Sequence, residues 1–325
     1  MALNISQALE LIELSHQKNA TIGTPRPLYE PRDYIMGQSG KRMRSIFCLM
    51  GYELYKDDIA IACDLAYAIE LFHNFTLVHD DIMDAATLRR GVPTVQHTYG
   101  TNAAILTGDV MLIEVYDRLL KIDSPLKANM LATMTKTARE VCEGQSLDMT
   151  FEDAEKVSIP DYLNMIELKT AVLLGASLKL GAMLAEAPEK DQNHLYKFAV
   201  NAGVSFQLQD DYLDVYGDPK TFGKKVGGDI VQGKKTYLYL RAIELLDGDD
   251  RDHFVKLYNN EGLEESDKVK RVTNIFDELY LPHYCTEAKE AFFSLAKSHL
   301  DFVSINQDQK DHLLKFARSL MDRAS

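Results

Sequence analysis

Apolar residues recur at spacings of three and four along the whole of this 325-residue chain, and alternating apolar–polar runs are nearly absent. Such spacing buries one stripe of a helix and offers no second face to a sheet, so it predicts an all-α fold. Helices are expected at 3–17, 28–37, 42–55, 58–85, 102–121, 125–148, 160–184, 188–216, 234–246, 250–258, 263–279, 284–301 and 307–323. With 46% hydrophobic residues there is ample core, and 18 Gly and 9 Pro are few enough to let long helices run. No repeat, low-complexity tract or composition shift marks a border, so residues 1–325 are expected to form one domain.

The formal charge of −13 argues against non-specific binding of nucleic acid or an anionic membrane, because the summed field repels phosphate. A phosphate-bearing ligand then needs local basic clusters or a metal ion. Cys48, Cys63, Cys142 and Cys285 are far apart and contain no CxxC pair, so they read as small buried hydrophobes in a reducing compartment. The N-terminal stretch carries acids and no basic region, unlike a secretory signal, and no apolar run is expected to span a bilayer. A cytoplasmic protein is the expectation.

Two connections, 86–100 and 217–233, exceed ordinary loop length, are rich in Gly, Lys and Arg, and each follows a helix ending in clustered aspartates. At 100° per residue, Asp80, Asp84 and Asp81 lie at about 0°, 40° and 100°, on one face. Asp210, Asp211 and Asp214 converge likewise beside Gln207. Two carboxylates ~6 Å apart repel by ~3 kcal/mol at an effective dielectric of 20, and the negative end of the helix dipole adds to it. A divalent cation removes that penalty. Hard oxygen donors without His or Cys select Mg²⁺, whereas an EF-hand would need a twelve-residue loop with a central glycine. A solvated acidic helix end is the plain alternative for either cluster taken alone.

Positive residues bunch at Lys41-Arg42-Met43-Arg44, Arg89-Arg90, Lys224-Lys225 and Lys234-Lys235. Arginine offers bidentate phosphate recognition and lysine a point charge. Beside two acidic helix ends, these clusters imply a ligand set with two diphosphates. His73 falls on the face of Asp80 and Asp84, and Lys169-Thr170 interrupts an apolar run where the charge needs a partner.

The segments GQSGKRMR, ELFHNFTLVHDDIMDAATLRRGVPT, ELKT, FQLQDDYLD and GKKVGGDIVQGKKT together resemble the trans-isoprenyl diphosphate (polyprenyl) synthases, in that family's motif order over about residues 28–240. The resemblance implies a single-domain multi-helix bundle around a central cavity, a cluster of three Mg²⁺ ions and a homodimer. It implies Asp80, Asp84 and Asp210 as metal ligands, with Asp81, Asp211 and Asp214 completing the metal motifs. Lys41, Arg44, His73 and Arg90 match an isopentenyl diphosphate pocket. Arg89, Lys169, Lys224 and Lys234 match the grip on an allylic diphosphate, and Thr170 and Gln207 match polar groups beside the reacting carbons. Ser39, Ser45 and Leu238 depart from the family pattern without removing a charge.

The implied reaction is head-to-tail condensation with loss of pyrophosphate. A class I terpene cyclase and a non-catalytic partner subunit are the rival readings. Relative to Asp80, Thr76, Phe72 and Phe75 lie at about −40°, −80° and −140°. An aromatic at Phe75, a small residue at Thr76 and an uninserted DDxxD resemble a short-chain enzyme, with a twenty-carbon product first and a fifteen-carbon product second.

Overall fold

The computed structural model describes residues 4–19, 23–218, 226–260 and 262–322. The chain divides into two compact units, Met1–Thr135 with Ala176–Asn193, and Lys136–Gly175 with His194–Ser325. Among the described residues the only strands are a two-residue pair, so the helical expectation holds almost everywhere.

The first unit is organised by the helix Cys63–Met83, which packs against Thr101–Lys121, Met43–Glu53 and Ile5–Asn19. Every residue from Leu65 to Phe72 on it is buried, including Glu70. That all-round burial explains its composition. By length and hydropathy alone Ile59–Met83 is a weak candidate for a membrane span, and 67% of its most apolar window is buried in protein, as in a core helix.

The loop expected at 86–100 is ordered into secondary structure. Leu88–Arg89 and Val92–Pro93 pair antiparallel around Arg90 and Gly91, whose φ angles of 54° and 77° are the two positive values of a type I′ turn. Thr94 then caps a short helix, Val95–Tyr99, by accepting from the backbone N–H of His97. This tight reversal sends two consecutive arginines back toward the Cys63–Met83 helix.

The second unit has a core of Leu208, Leu238, Phe254, Tyr258, Phe276 and Leu281. Ser158 and Asp161 form a capping box that starts the helix Ile159–Ile166. The helix expected over 160–184 is interrupted: Glu167–Ala171 is a π-helical turn before Val172–Leu184 resumes. Such widened turns inside α-helices mark functional positions, and this one holds Lys169 and Thr170. A methyl group at Gly144 would collide with the Lys169 backbone nitrogen, so the glycine lets the widened turn seat against its neighbour. The expected 217–233 connection contains a short helix, Gly228–Val231, and the helix expected from 234 begins at Tyr237.

Candidate active site

In the first unit the polar groups gather around the C-terminal half of Cys63–Met83. Arg89 forks across two carboxylates, with Nη2 2.8 Å from Asp80 Oδ2 and Nε 2.8 Å from Asp81 Oδ1. Burial would lower the Arg89 pKa, but Asp81 and Asp80 outweigh it and the net shift is upward. Asp81 shifts upward through burial, opposed by Arg89. Asp84 is the exposed C-cap of the same helix.

In the same unit a small cavity of about 50 Å³ is walled by Lys41, Arg42, Arg44, His73, Arg89 and Arg90. Arg44 Nη1 donates to His73 Nε2 at 3.1 Å. An arginine cannot accept, so His73 carries its proton on Nδ1. Burial and then Arg44 and Arg90 push its pKa well below 6.5, so the ring is neutral. Burial also brings Arg44 down to about 10, which still leaves it charged. Arg90 donates to Ser39 O at 3.0 Å, so Ser39 contributes through its backbone, whatever its side chain. Ser45 is buried with its hydroxyl 3.0 Å from Ala66 O and 2.9 Å from Glu70 Oε2, which satisfies that departure.

Phe75 and Thr76 lie on the same helix. Phe75 is buried, with its ring edge-on to His79 at 4.9 Å and tilted against Phe72 at 5.5 Å. The Thr76 hydroxyl donates to His73 O at 2.7 Å.

In the second unit a cleft of about 220 Å³ is lined by Asp148, Lys169, Thr170, Gln207, Asp210, Asp211, Asp214, Asp229, Lys234 and Lys235, among others. The partner that Lys169 needed is Asp148, 2.5 Å away. Asp211 lines the cleft and also has protein partners. Its Oδ2 accepts from Tyr162 Oη at 2.6 Å and from the Tyr237 backbone N–H at 3.1 Å. Burial, then repulsion by Asp229, raises its pKa well above the usual carboxylate value. Asp214 is drawn into scaffolding too, because its Oδ2 accepts from Asp229 N at 3.0 Å and its carbonyl from Gly227 N. Asp81 is buried and held by Arg89 through one oxygen.

Asp148 and Asp229 were not singled out from sequence, and Lys235 was noted only as part of the Lys234-Lys235 pair. Lys235 donates to Phe151 O and Glu152 O at 2.7 Å each, closing the C-terminal carbonyls of the Lys127–Asp153 helix. Asp148 sits one helical turn beyond Gly144, whose contact with Lys169 exists only in the folded packing, so the sequence carried no signal for it. Lys224 lies outside the described residues.

Among the described residues no three His, Cys, Asp or Glu side chains already form a metal cage. Mg²⁺ does not need one: it takes one or two carboxylates and completes its octahedron with water and substrate phosphate. The donor chemistry fits, since Asp80 and Asp81 share a guanidinium and Asp81 Oδ2 is buried without a hydrogen-bond partner among the described residues.

The sequence model of the polyprenyl synthetase family matches residues 25–276. The chain belongs to the polyprenyl synthetase family. A short chain isoprenyl diphosphate synthase of Methanocaldococcus jannaschii is 39% identical over 76% of this chain and 76% of its own. A geranylgeranyl pyrophosphate synthase of Geoglobus acetivorans is 35% identical over 92% of each. A crystal structure of a geranylgeranyl pyrophosphate synthase superposes with a TM-score of 0.94 at 40% identity, covering 99% of this chain and 100% of that one. This polyprenyl synthetase is an all-α trans-prenyltransferase.

Proposed function

We propose that this polyprenyl synthetase condenses isopentenyl diphosphate with an allylic diphosphate to a short trans-prenyl diphosphate, twenty carbons first and fifteen second, releasing pyrophosphate. One observation carries the reading over its rivals. The helix Cys63–Met83 bears both an aspartate end and, through His73, a separate cavity of cations. A terpene cyclase has one diphosphate to hold and no use for a second anion cradle. A non-catalytic subunit has no use for two intact aspartate motifs.

Lys41, Arg44 and Arg90 would hold the isopentenyl diphosphate headgroup, with neutral His73 orienting Arg44. Asp80, Asp84 and Asp210 are the proposed Mg²⁺ ligands; bound Mg²⁺ supplies electrostatic stabilisation of the departing diphosphate. Arg89, Lys169, Lys224 and Lys234 add positive charge to the same leaving group as its negative charge develops. Thr170, on the widened turn, and Gln207 present oxygen dipoles to the allylic cation. Attack by the isopentenyl double bond forms the new carbon–carbon bond, and loss of a proton to pyrophosphate completes the exchange.

A homodimer is part of this proposal. Leu106, Ile113 and Leu120 recur every seventh residue on Thr101–Lys121 and are 56%, 61% and 55% exposed, an apolar seam with the period of helix–helix packing. Sedimentation tests that point. For the activity, labelled isopentenyl diphosphate is incubated with dimethylallyl, geranyl or farnesyl diphosphate and Mg²⁺, and the products are resolved by chromatography. Elongated diphosphates support the reading. Cyclic hydrocarbon, or no turnover by well-folded protein, sinks it.

A further inference from the structure

Glu70 is buried in the middle of Cys63–Met83 and is the one acid among the described residues lining the basic cavity. Its Oε1 accepts from Arg42 Nη1 at 2.8 Å, and its Oε2 lies 2.9 Å from the Ser45 hydroxyl. Arg42 uses its other terminal nitrogen on Met36 O and Gln38 O, at 3.0 and 2.8 Å. Its backbone holds φ at 48°, the left-handed region a side chain seldom takes, just where the helix Met43–Glu53 begins. Arg42 thereby fastens the end of one helix, the turn after it and the start of the next to a single carboxylate. Lys41 and Arg44 flank it in that sequence.

We propose that Glu70, acting through Arg42, is a positioning residue that sets Lys41 and Arg44 for the isopentenyl diphosphate headgroup. The inference rests on the function proposed above. Two effects of removing the Glu70 charge oppose each other. The field alone would favour an anion, because a negative charge leaves the cavity. Releasing Arg42 from its anchor would disperse the flanking cations and weaken the anion. Removing the Glu70 charge leaves the Arg42 cation uncompensated, so the field change is real and favours the anion; against it, Arg42 loses the charged partner that fixes its geometry, and with it the setting of Lys41 and Arg44. The positioning effect wins.

Glu70→Gln separates the two by sign. With isopentenyl diphosphate varied at saturating allylic substrate, its KM should rise about tenfold, the value of one lost charged hydrogen bond. The KM for the allylic substrate and kcat should stay within about threefold. Arg42→Lys keeps the charge but cannot span the carboxylate and both carbonyls, and should give the same selective rise. The double variant should be no worse than either single one, because the two residues act as a unit. An unchanged or lower KM for isopentenyl diphosphate, or equal changes for both substrates, overturns the proposal. Should Glu70→Gln fail to melt cooperatively, the same split in Arg42→Lys decides. Wild-type protein in the same assay separates the two levels of inference: if it condenses nothing, the proposed function fails before Glu70 is at issue.

Discussion

Tyr162 donates its phenolic proton to Asp211 2.6 Å away, with both side chains buried. The contact ties the helix Ile159–Ile166 to the second aspartate motif, and the Tyr237 backbone N–H completes it. Asp211 therefore acts as an internal acceptor as well as lining the cleft beside its neighbour Asp210.

Replacement of the two neighbours should have unlike effects. Asp210→Asn is expected to lower turnover by orders of magnitude with little change in melting. Asp211→Asn keeps an acceptor oxygen for Tyr162 and Tyr237 and should retain turnover within about tenfold, since neutral replacement of a carboxyl already raised in pKa costs little there. Asp80→Ala should behave as Asp210→Asn does. Circular dichroism with turnover assays checks all three, and near-wild-type rates in Asp80→Ala or Asp210→Asn would remove them as metal ligands.

The two groups of basic residues should separate kinetically. Arg44→Ala or Arg90→Ala is expected to raise the KM for isopentenyl diphosphate chiefly, because both line the small cavity of the first unit. Lys169→Ala or Lys234→Ala should chiefly lower kcat or raise the allylic KM, because both line the cleft of the second. Varying each substrate in turn gives the answer. Equal effects on both substrates in either group would mean the division is drawn wrongly.

Much of this was legible in the chain. Helical spacing located the long elements to within a few residues, because each has an apolar stripe or is apolar throughout. Asp80 and Asp84 could be grouped from rotation angles alone. The protein partners of Asp81, Asp211 and Asp214 could not be read, since Arg89, Tyr162 and Asp229 meet them only once the chain has folded. The Arg90-Gly91 reversal needed a non-glycine residue at positive φ, which residue preference argues against. The widened turn at Glu167–Ala171 leaves apolar spacing almost unaltered, so periodicity alone reads straight through it.

Neutral His73 gives a pH signature. Its folded pKa is depressed by burial and by Arg44, so below 6.5 the unfolded chain takes up a proton that the folded protein refuses. Stability contributed by this group is complete above 6.5 and falls as pH drops toward the folded pKa. His73→Gln retains an acceptor for Arg44 and removes the titration. Relative to wild type, the variant should gain about 1 kcal/mol between pH 7.5 and 5.5 in urea denaturation. A constant difference across that range would show that the ring protonates freely in the folded state.

Product length should respond to Phe75 and Thr76. Both lie within about one and a half turns N-terminal to Asp80 on the Cys63–Met83 helix, the direction a growing hydrocarbon takes if its diphosphate sits at the aspartates. Phe75 is bulky, buried and buttressed by Phe72 and His79. Thr76 is smaller and turns its hydroxyl back to His73 O. If Thr76 is the open step and Phe75 the floor, Phe75→Ala should lengthen the product and Thr76→Phe should shorten it. Truncating a buried phenylalanine costs about 3–5 kcal/mol, so the comparison belongs at a temperature where melting shows both proteins folded. Chromatography of dephosphorylated products reads the chain lengths. An active Phe75→Ala enzyme with unaltered products would place the floor elsewhere, because the lost ring would then have been packing for the Thr101–Lys121 contact through His79 and nothing more.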